Sequence, residues 1–301
     1  MALISTADLI FSINKILDIG SNFITRRFAH QMANETYRKQ RIKVLFMGRK
    51  DVAARCLQHL LDHQGVQVVG VLTDSHLEVS PTAVLARSKS LRLFDFESAL
   101  TAIESGELSF DLGVSMLYWR KLRDGFLSTP RQGIINFHPA PLPEYKGVGG
   151  YNLAILECLH RWAVSAHYVD KEIDEGDIIE TRYFPIDVDT ETIKSLEARS
   201  QSFLFSLFVD TFERLVSSGS RLETTPNNGG RYITRTQLEE MKGIDFEKDD
   251  VARKVRAFWF PPYDGAYIKV NGSKFTLVDR SILDALADPA NSSLFTKVSR
   301  L

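Results

Sequence analysis

Two stretches of this chain carry residue types that could do chemistry together. In the first, Asn136-Phe137-His138-Pro139-Ala140-Pro141-Leu142-Pro143-Glu144-Tyr145-Lys146-Gly147, an amide and an imidazole stand two positions apart ahead of a proline-rich run. On an extended segment that spacing puts both side chains on one face, and the prolines forbid a regular element beyond them. In the second, Ala163 to Val169 reads as a strand bearing His167, and the acidic loop Asp170-Lys171-Glu172-Ile173-Asp174-Glu175-Gly176-Asp177 follows it. A carboxylate from that loop could orient or charge an imidazole across a site, as general acid–base chemistry requires. Taken singly, an Asn and a His beside prolines are ordinary loop hydrogen-bonders, and an acidic turn ending in Gly is commonplace. The two stretches together carry more than either alone.

The elements that must position them can be read from periodicity. Ile42 to Met47 and Val66 to Leu72 are continuous apolar runs, and the segment between them has helical spacing through Leu60 and Leu61. Strand, turn, helix and strand in this order make a βαβ unit with a parallel sheet. Further strands are expected at Leu112 to Met116, Gly133 to Phe137, Val164 to Val169 and Ile178 to Phe184. Helices are expected at Glu97 to Glu104, Leu122 to Leu127, Gly150 to His160 and Ile193 to Leu215. Asn136 and His138 then sit at the carboxyl edge of the sheet, where open α/β sheets bind ligands, and the loop after His167 is expected at that same edge. The chain is thus expected to be α/β with a mostly parallel sheet. A turn-rich stretch from Ser217, with Pro226-Asn227-Asn228-Gly229-Gly230, marks a linker. The Asn271-Gly272 pair between Tyr267–Val270 and Lys274–Val278 predicts a hairpin in a small β-rich carboxy-terminal module.

Composition bounds the function. The 301 residues are 44% hydrophobic and 25% charged with a formal net charge of −1, so no general positive field recruits nucleic acid or an anionic membrane. Cys56 and Cys158 fall in helical stretches and read as thiols in a reducing compartment, which points to the cytoplasm. Within residues 1–40, Leu9, Ile10, Ile13, Ile16 and Leu17 recur at helical spacing behind Ser5-Thr6-Ala7-Asp8, an amphipathic extension unlike a secretory signal. It suits docking on the domain or a contact with a partner or second subunit. The lone Gly48 makes no dinucleotide fingerprint, although Arg49 and Lys50 could meet an anionic group of a substrate at the start of the next helix.

Asn136, His138, Pro139, Leu142, Pro143, Gly147, His167 and Asp174 together resemble the signature of the folate-dependent formyltransferase family: an Asn-x-His-Pro segment with Leu-Pro after it, then an Asp in a Gly-containing loop behind a His-bearing strand. The likeness spans about residues 42–208. Relatives often have Ser-Leu-Leu-Pro where this chain has Ala140-Pro141-Leu142-Pro143, and Arg-Gly where it has Lys146-Gly147; neither departure touches the three central residues. The resemblance implies a Rossmann-like catalytic domain over 41–216 and a module over 217–301. It also implies transfer of the formyl group of 10-formyltetrahydrofolate to an amine without a metal. Asn136 and a protonated His138 would donate to the developing oxyanion, Asp174 would hold His138 and help remove a proton, and His167 would support them. The folate would lie against Met116, Leu117, Arg120, Lys121, Leu122 and Asp170, through backbone groups rather than Tyr118 and Trp119. Gly48, Arg49, Lys146 and Gly147 would serve the second substrate.

The acceptor is the open question. From Ser217 onward the chain carries 13 Lys and Arg against 11 Asp and Glu, little drive toward a polyanion. Its aromatic run, Arg256-Ala257-Phe258-Trp259-Phe260-Pro261-Pro262-Tyr263-Asp264-Gly265, is similar to the tail of nucleotide-sugar N-formyltransferases, with Trp259 and Tyr263 as candidate sugar or base contacts; packing into a small core is the rival use of these aromatics. The favoured expectation is a nucleotide-linked aminodeoxysugar bound for a surface polysaccharide such as O-antigen, handled by a possible homodimer. Methionyl-tRNA, hydroxyornithine and water, the last giving a formyltetrahydrofolate hydrolase, are the alternatives.

Overall fold

The apolar run after Arg41 becomes strand β1 (Ile42–Gly48), buried from Val44 to Gly48, as a strand covered on both faces must be. The computed structural model describes residues 41–73 and 79–287; the amphipathic extension expected at 1–40 lies outside them. Helix α1 (Asp51–Asp62) buries Val52, Ala53, Cys56, Leu57 and Leu60 and returns the chain to β2 (Val66–Leu72), parallel to β1. Helix α2 (Pro81–Ser88), capped by the Ser80 hydroxyl, leads to the short β3 (Leu93–Phe94). Helix α3 (Phe96–Glu104), β4 (Leu112–Met116), α4 (Asp124–Ser128) and β5 (Ile134–His138) complete the parallel portion. The short β6 (Tyr145–Gly147) and α5 (Gly150–Leu156) precede β7 (Arg161–Tyr168) and β8 (Ile178–Pro185). Helix α6 (Ile193–Ser218) starts in a Thr192/Ser195 capping box and stops at Gly219, whose left-handed φ of 66° a side chain would oppose.

The strand order is β3-β2-β1-β4-β5-β7-β8. β1 through β5 run parallel, while β7 is antiparallel to β5 and β8 to β7. One face, with Val44, Phe46, Val114 and Phe137, packs on α1 and α6; the other, with Leu45, Met47 and Ile134, packs on Phe96 of α3 and Phe126 of α4. The mostly parallel sheet expected from the apolar runs is present.

The segment after α6 returns to the sheet domain: β9 (Arg231–Ile233) pairs with β6, and Asn152 of α5 donates through Nδ2 to the Ala257 carbonyl (2.7 Å). Residue 257 belongs to α8 (Val251–Phe258), which follows α7 (Arg235–Glu240). β10 (Tyr267–Val270) and β11 (Ser273–Thr276) form the antiparallel hairpin, with Asn271 and Gly272 at φ 47° and 82° as such a turn demands. Helix α9 spans Arg280–Ala287. α7, α8 and α9 accompany the hairpin although the sequence reading found only β-like runs there. Among the described residues no helix is long and apolar enough to cross a membrane.

Candidate active site

Strand register builds the site. Asn136 on β5 lies opposite Ser115 on β4 and opposite His167 on β7, so the three side chains form a row across one sheet face. His138 follows on that face two residues later, where β5 ends. Ser115 Oγ donates to Asn136 Oδ1 (2.7 Å), and Asn136 Nδ2 lies 3.0 Å from His167 Nε2. His167 is 1% exposed, and its Nδ1 faces the Tyr168 carbonyl at 2.8 Å.

The acidic loop reaches this row by a route different from the expected one. Because β7 runs against β5, Tyr168 pairs with Ile135, and Val169 donates to the Ile134 carbonyl (2.8 Å). The loop therefore leaves from the end of the sheet where β5 begins, not from its carboxyl edge, and doubles back to deliver Asp174. Gly176 makes the return possible, since a Cβ there would stand 1.9 Å from the Tyr168 carbonyl oxygen. Asp174 itself has a φ of 57°. Asn227, from the stretch read as a linker, is 4% exposed and donates through Nδ2 to the carbonyls of Asp174 (2.8 Å) and Gly176 (2.9 Å). The backbone of that loop is thus tied down by a residue more than fifty positions away.

Asp174 Oδ1 lies 3.4 Å from His138 Nδ1 and 3.7 Å from His167 Nε2, and Oδ2 accepts from the Gly147 N–H at 2.9 Å. Burial pushes the Asp174 carboxyl up, but the two imidazoles and the Gly147 N–H outweigh it and hold it at about 2. Asp174 is a carboxylate at neutral pH. For His138, burial dominates and pulls the imidazole below its ordinary range, against the opposing pull of Asp174. Burial thus works against the protonated His138 expected from the sequence and favours the neutral ring. Its Nε2 lies 3.0 Å from the Tyr145 carbonyl, so acceptors flank both nitrogens, and only the doubly protonated ring satisfies both. The pocket is thus poised to accept a proton at His138.

Recesses open on either side of this cluster. One, about 400 Å³, is lined by Ser115, Asn136, His167 and Asp174 and by Tyr118, Arg120, Lys121, Leu122 and Asp170 of the flanking loops. The other, about 620 Å³, is walled by His138, Tyr145, Gly147, Gly149, Tyr151 and their neighbours. Four expected folate contacts, Arg120, Lys121, Leu122 and Asp170, thus line the first recess, whereas Met116 is fully buried and neither it nor Leu117 reaches the lining. Lys146 and Gly147 line the second. The Lys146 ammonium is already held by Glu175 (2.5 Å) and the Asn227 carbonyl (3.3 Å), which takes it out of use as a free cation.

The other expected contacts line neither recess. Gly48 is needed for packing, because a Cβ would meet Ala53 at 2.7 Å and the Met116 carbonyl at 2.8 Å. Arg49 stands beside it at the same turn, and Lys50 is paired with Glu197. Trp259 ends α8, and Tyr263 is 66% exposed, stacked on Phe260. Among the described residues no group of acidic, His or Cys side chains is arranged to hold a metal ion. The sequence reading placed Ser115 in a strand and Asn227 in a linker but singled out neither for the site, since a Ser in an apolar strand and an Asn in a Gly-rich turn carry no pattern.

The sequence pattern of the Formyl transferase family matches residues 40–211, the segment that contains the whole cluster. The chain belongs to that family. A methionyl-tRNA formyltransferase from Thermotoga neapolitana is 27% identical over 262 residues, 82% of each chain. A 4-N formyltransferase from Francisella tularensis shares the fold with a TM-score of 0.67 at 20% identity, over 79% of this chain and 97% of that one. An N-formyltransferase from Helicobacter canadensis, solved with folinic acid and dTDP-3-aminofucose, gives 0.63 at 23% identity over 77% and 86%. As a member of the Formyl transferase family the protein is a formyl-transferring enzyme, and Asn136, His138 and Asp174 lie together inside the matched segment.

Proposed function

We propose that this formyltransferase moves the formyl group of 10-formyltetrahydrofolate to the amino group of a nucleotide-linked aminodeoxysugar, with Asn136, His138 and Asp174 as its catalytic residues. One observation carries the reading: Asn136 and His138 share a face of β5 but line different recesses, so a donor on one side and an acceptor on the other would meet at the cluster. Folate supplies an activated formyl carbon. Asn136 donates an N–H to the formyl oxygen as it gains negative charge, where water is excluded. His138 takes the proton that the attacking amine must lose, Asp174 stabilises the imidazolium so formed, and the proton passes on to the folate nitrogen as its bond to the formyl carbon breaks.

The nucleotide-sugar acceptor is supported by the near balance of charge from Ser217 onward and by the structural likeness to proteins described as sugar-acting, one of them in complex with a dTDP-aminosugar. Methionyl-tRNA is the second reading, favoured by the relatives in sequence. Competition decides between them. With 10-formyltetrahydrofolate limiting, a panel of nucleotide-linked 3-amino and 4-amino sugars offered beside charged initiator tRNA should yield formylated sugar by mass spectrometry, while formylation of the tRNA alone would overturn the sugar assignment.

A further inference from the structure

A hydrogen-bonded chain fixes which way the Asn136 amide points. It begins at the Tyr168 carbonyl, which can only accept, so His167 Nδ1 (2.8 Å away) carries the proton. A neutral ring then has its lone pair on Nε2. That lone pair accepts from Asn136 Nδ2 at 3.0 Å, which turns Asn136 Oδ1 toward Ser115, whose hydroxyl donates to it at 2.7 Å. With His167 in this neutral tautomer each link is decided by the one before it, and the register that sets Ser115, Asn136 and His167 side by side is fixed by strand pairing. Asn136 Nδ2 has two hydrogens, and His167 uses one; the other is left for the recess that Asn136 lines.

We propose that Ser115 is a positioning residue for formyl transfer: its hydroxyl locks the Asn136 amide with the N–H side toward the reacting oxygen. The proposal rests on the reading of Asn136 as the oxyanion donor. A hydrogen bond into the amide oxygen also polarises the N–H on its other side, so the donor is strengthened as well as oriented. Ser115 is 4% exposed, and without its hydroxyl the amide oxygen would lose the hydrogen bond that it accepts at 2.7 Å.

The test is a double-mutant cycle on the full chain with formyl transfer as the readout. Ser115→Ala is expected to lower kcat about tenfold, the weight of one hydrogen bond, with KM for both substrates unchanged. Ser115→Thr should recover most of the loss. In an Asn136→Ala background Ser115→Ala should cost nothing further, which a merely structural role would not produce. An unchanged kcat, an equal loss in both backgrounds, or a raised donor KM in place of a lowered kcat would each overturn the proposal. An Asn136→Ala enzyme with undiminished turnover would instead sink the oxyanion reading. A measurement without turnover stands beside these: the Asn136 side-chain amide protons in the NMR spectrum should shift and exchange faster in Ser115→Ala, and identical signals would refute the lock.

Discussion

Replacing Asp174 by asparagine tests the proton-handling half of the site. The substituted amide keeps the size of the side chain and an oxygen for the Gly147 N–H now 2.9 Å from Oδ2, so the loop should hold its place. What is lost is the charge 3.4 Å from His138 Nδ1. At an effective dielectric of about 20, that charge attracts an imidazolium at this distance by about 5 kcal/mol. With roughly half a charge on the ring at the transition state, about half of the attraction is lost. At about 1.4 kcal/mol per decade this lowers kcat by roughly two orders of magnitude. Steady-state turnover should show that loss with the acceptor KM little changed, because burial favours the neutral ring in the ground state. A variant with kcat within about fivefold of wild type, folded by circular dichroism, would refute the reasoning, since a transition-state charge cannot be that indifferent to its counter-ion.

Four further outcomes follow from the same geometry. Asn136→Ala should lower kcat by about 100- to 1000-fold, the usual cost of an oxyanion donor, measured at saturating substrates. Asn227→Ala strips the Asp174 and Gly176 carbonyls of their Nδ2 donor and should cost about 1–3 kcal/mol in urea unfolding together with a lower kcat; full stability would show that the strap carries no load. Tyr263→Ala should leave the acceptor KM unchanged, because its ring lies exposed on Phe260 away from both recesses, and a clear rise would restore it as a substrate contact. On acidification the folded state should weaken in two steps, both of the same sign. The unfolded chain binds a proton at His138 first, as pH drops below about 6.5, since burial depresses the folded ring. The stability that ionised Asp174 contributes is then lost between about pH 4 and its folded value of about 2. Melting temperatures from pH 8 to 3 check this, and His138→Asn should lack the upper step.

How far the molecule was legible in its sequence depended on where each signal lay. β1, β2 and β4 read clearly because strands covered on both faces are unbroken apolar runs, and the two-residue spacing of Asn136 and His138 survives any detail of the sheet. The direction of β7 was not legible: Ala163 to Val169 is equally apolar whichever way it runs, so the loop bearing Asp174 was expected at the wrong end and its doubling back was invisible. The burial that works against a protonated His138 was not legible for a related reason, because it is set by residues far along the chain. Lys146 was expected to serve the second substrate but is 3% exposed and paired with Glu175. Helix α8 went unread since it is only eight residues long and its last residue, Phe258, opens the aromatic and proline run, too short for periodicity to speak against its β-like neighbours.

The most direct test measures both products at once. The protein is incubated with 10-formyltetrahydrofolate and a nucleotide-linked aminosugar, and tetrahydrofolate, formate and the mass of the sugar nucleotide are followed together. The expected result is one formylated sugar for each tetrahydrofolate released, with both signals nearly abolished in Asn136→Ala and strongly reduced in Asp174→Asn. Tetrahydrofolate appearing with free formate and an unmodified amine would show that water is the acceptor and contradict the transfer reading.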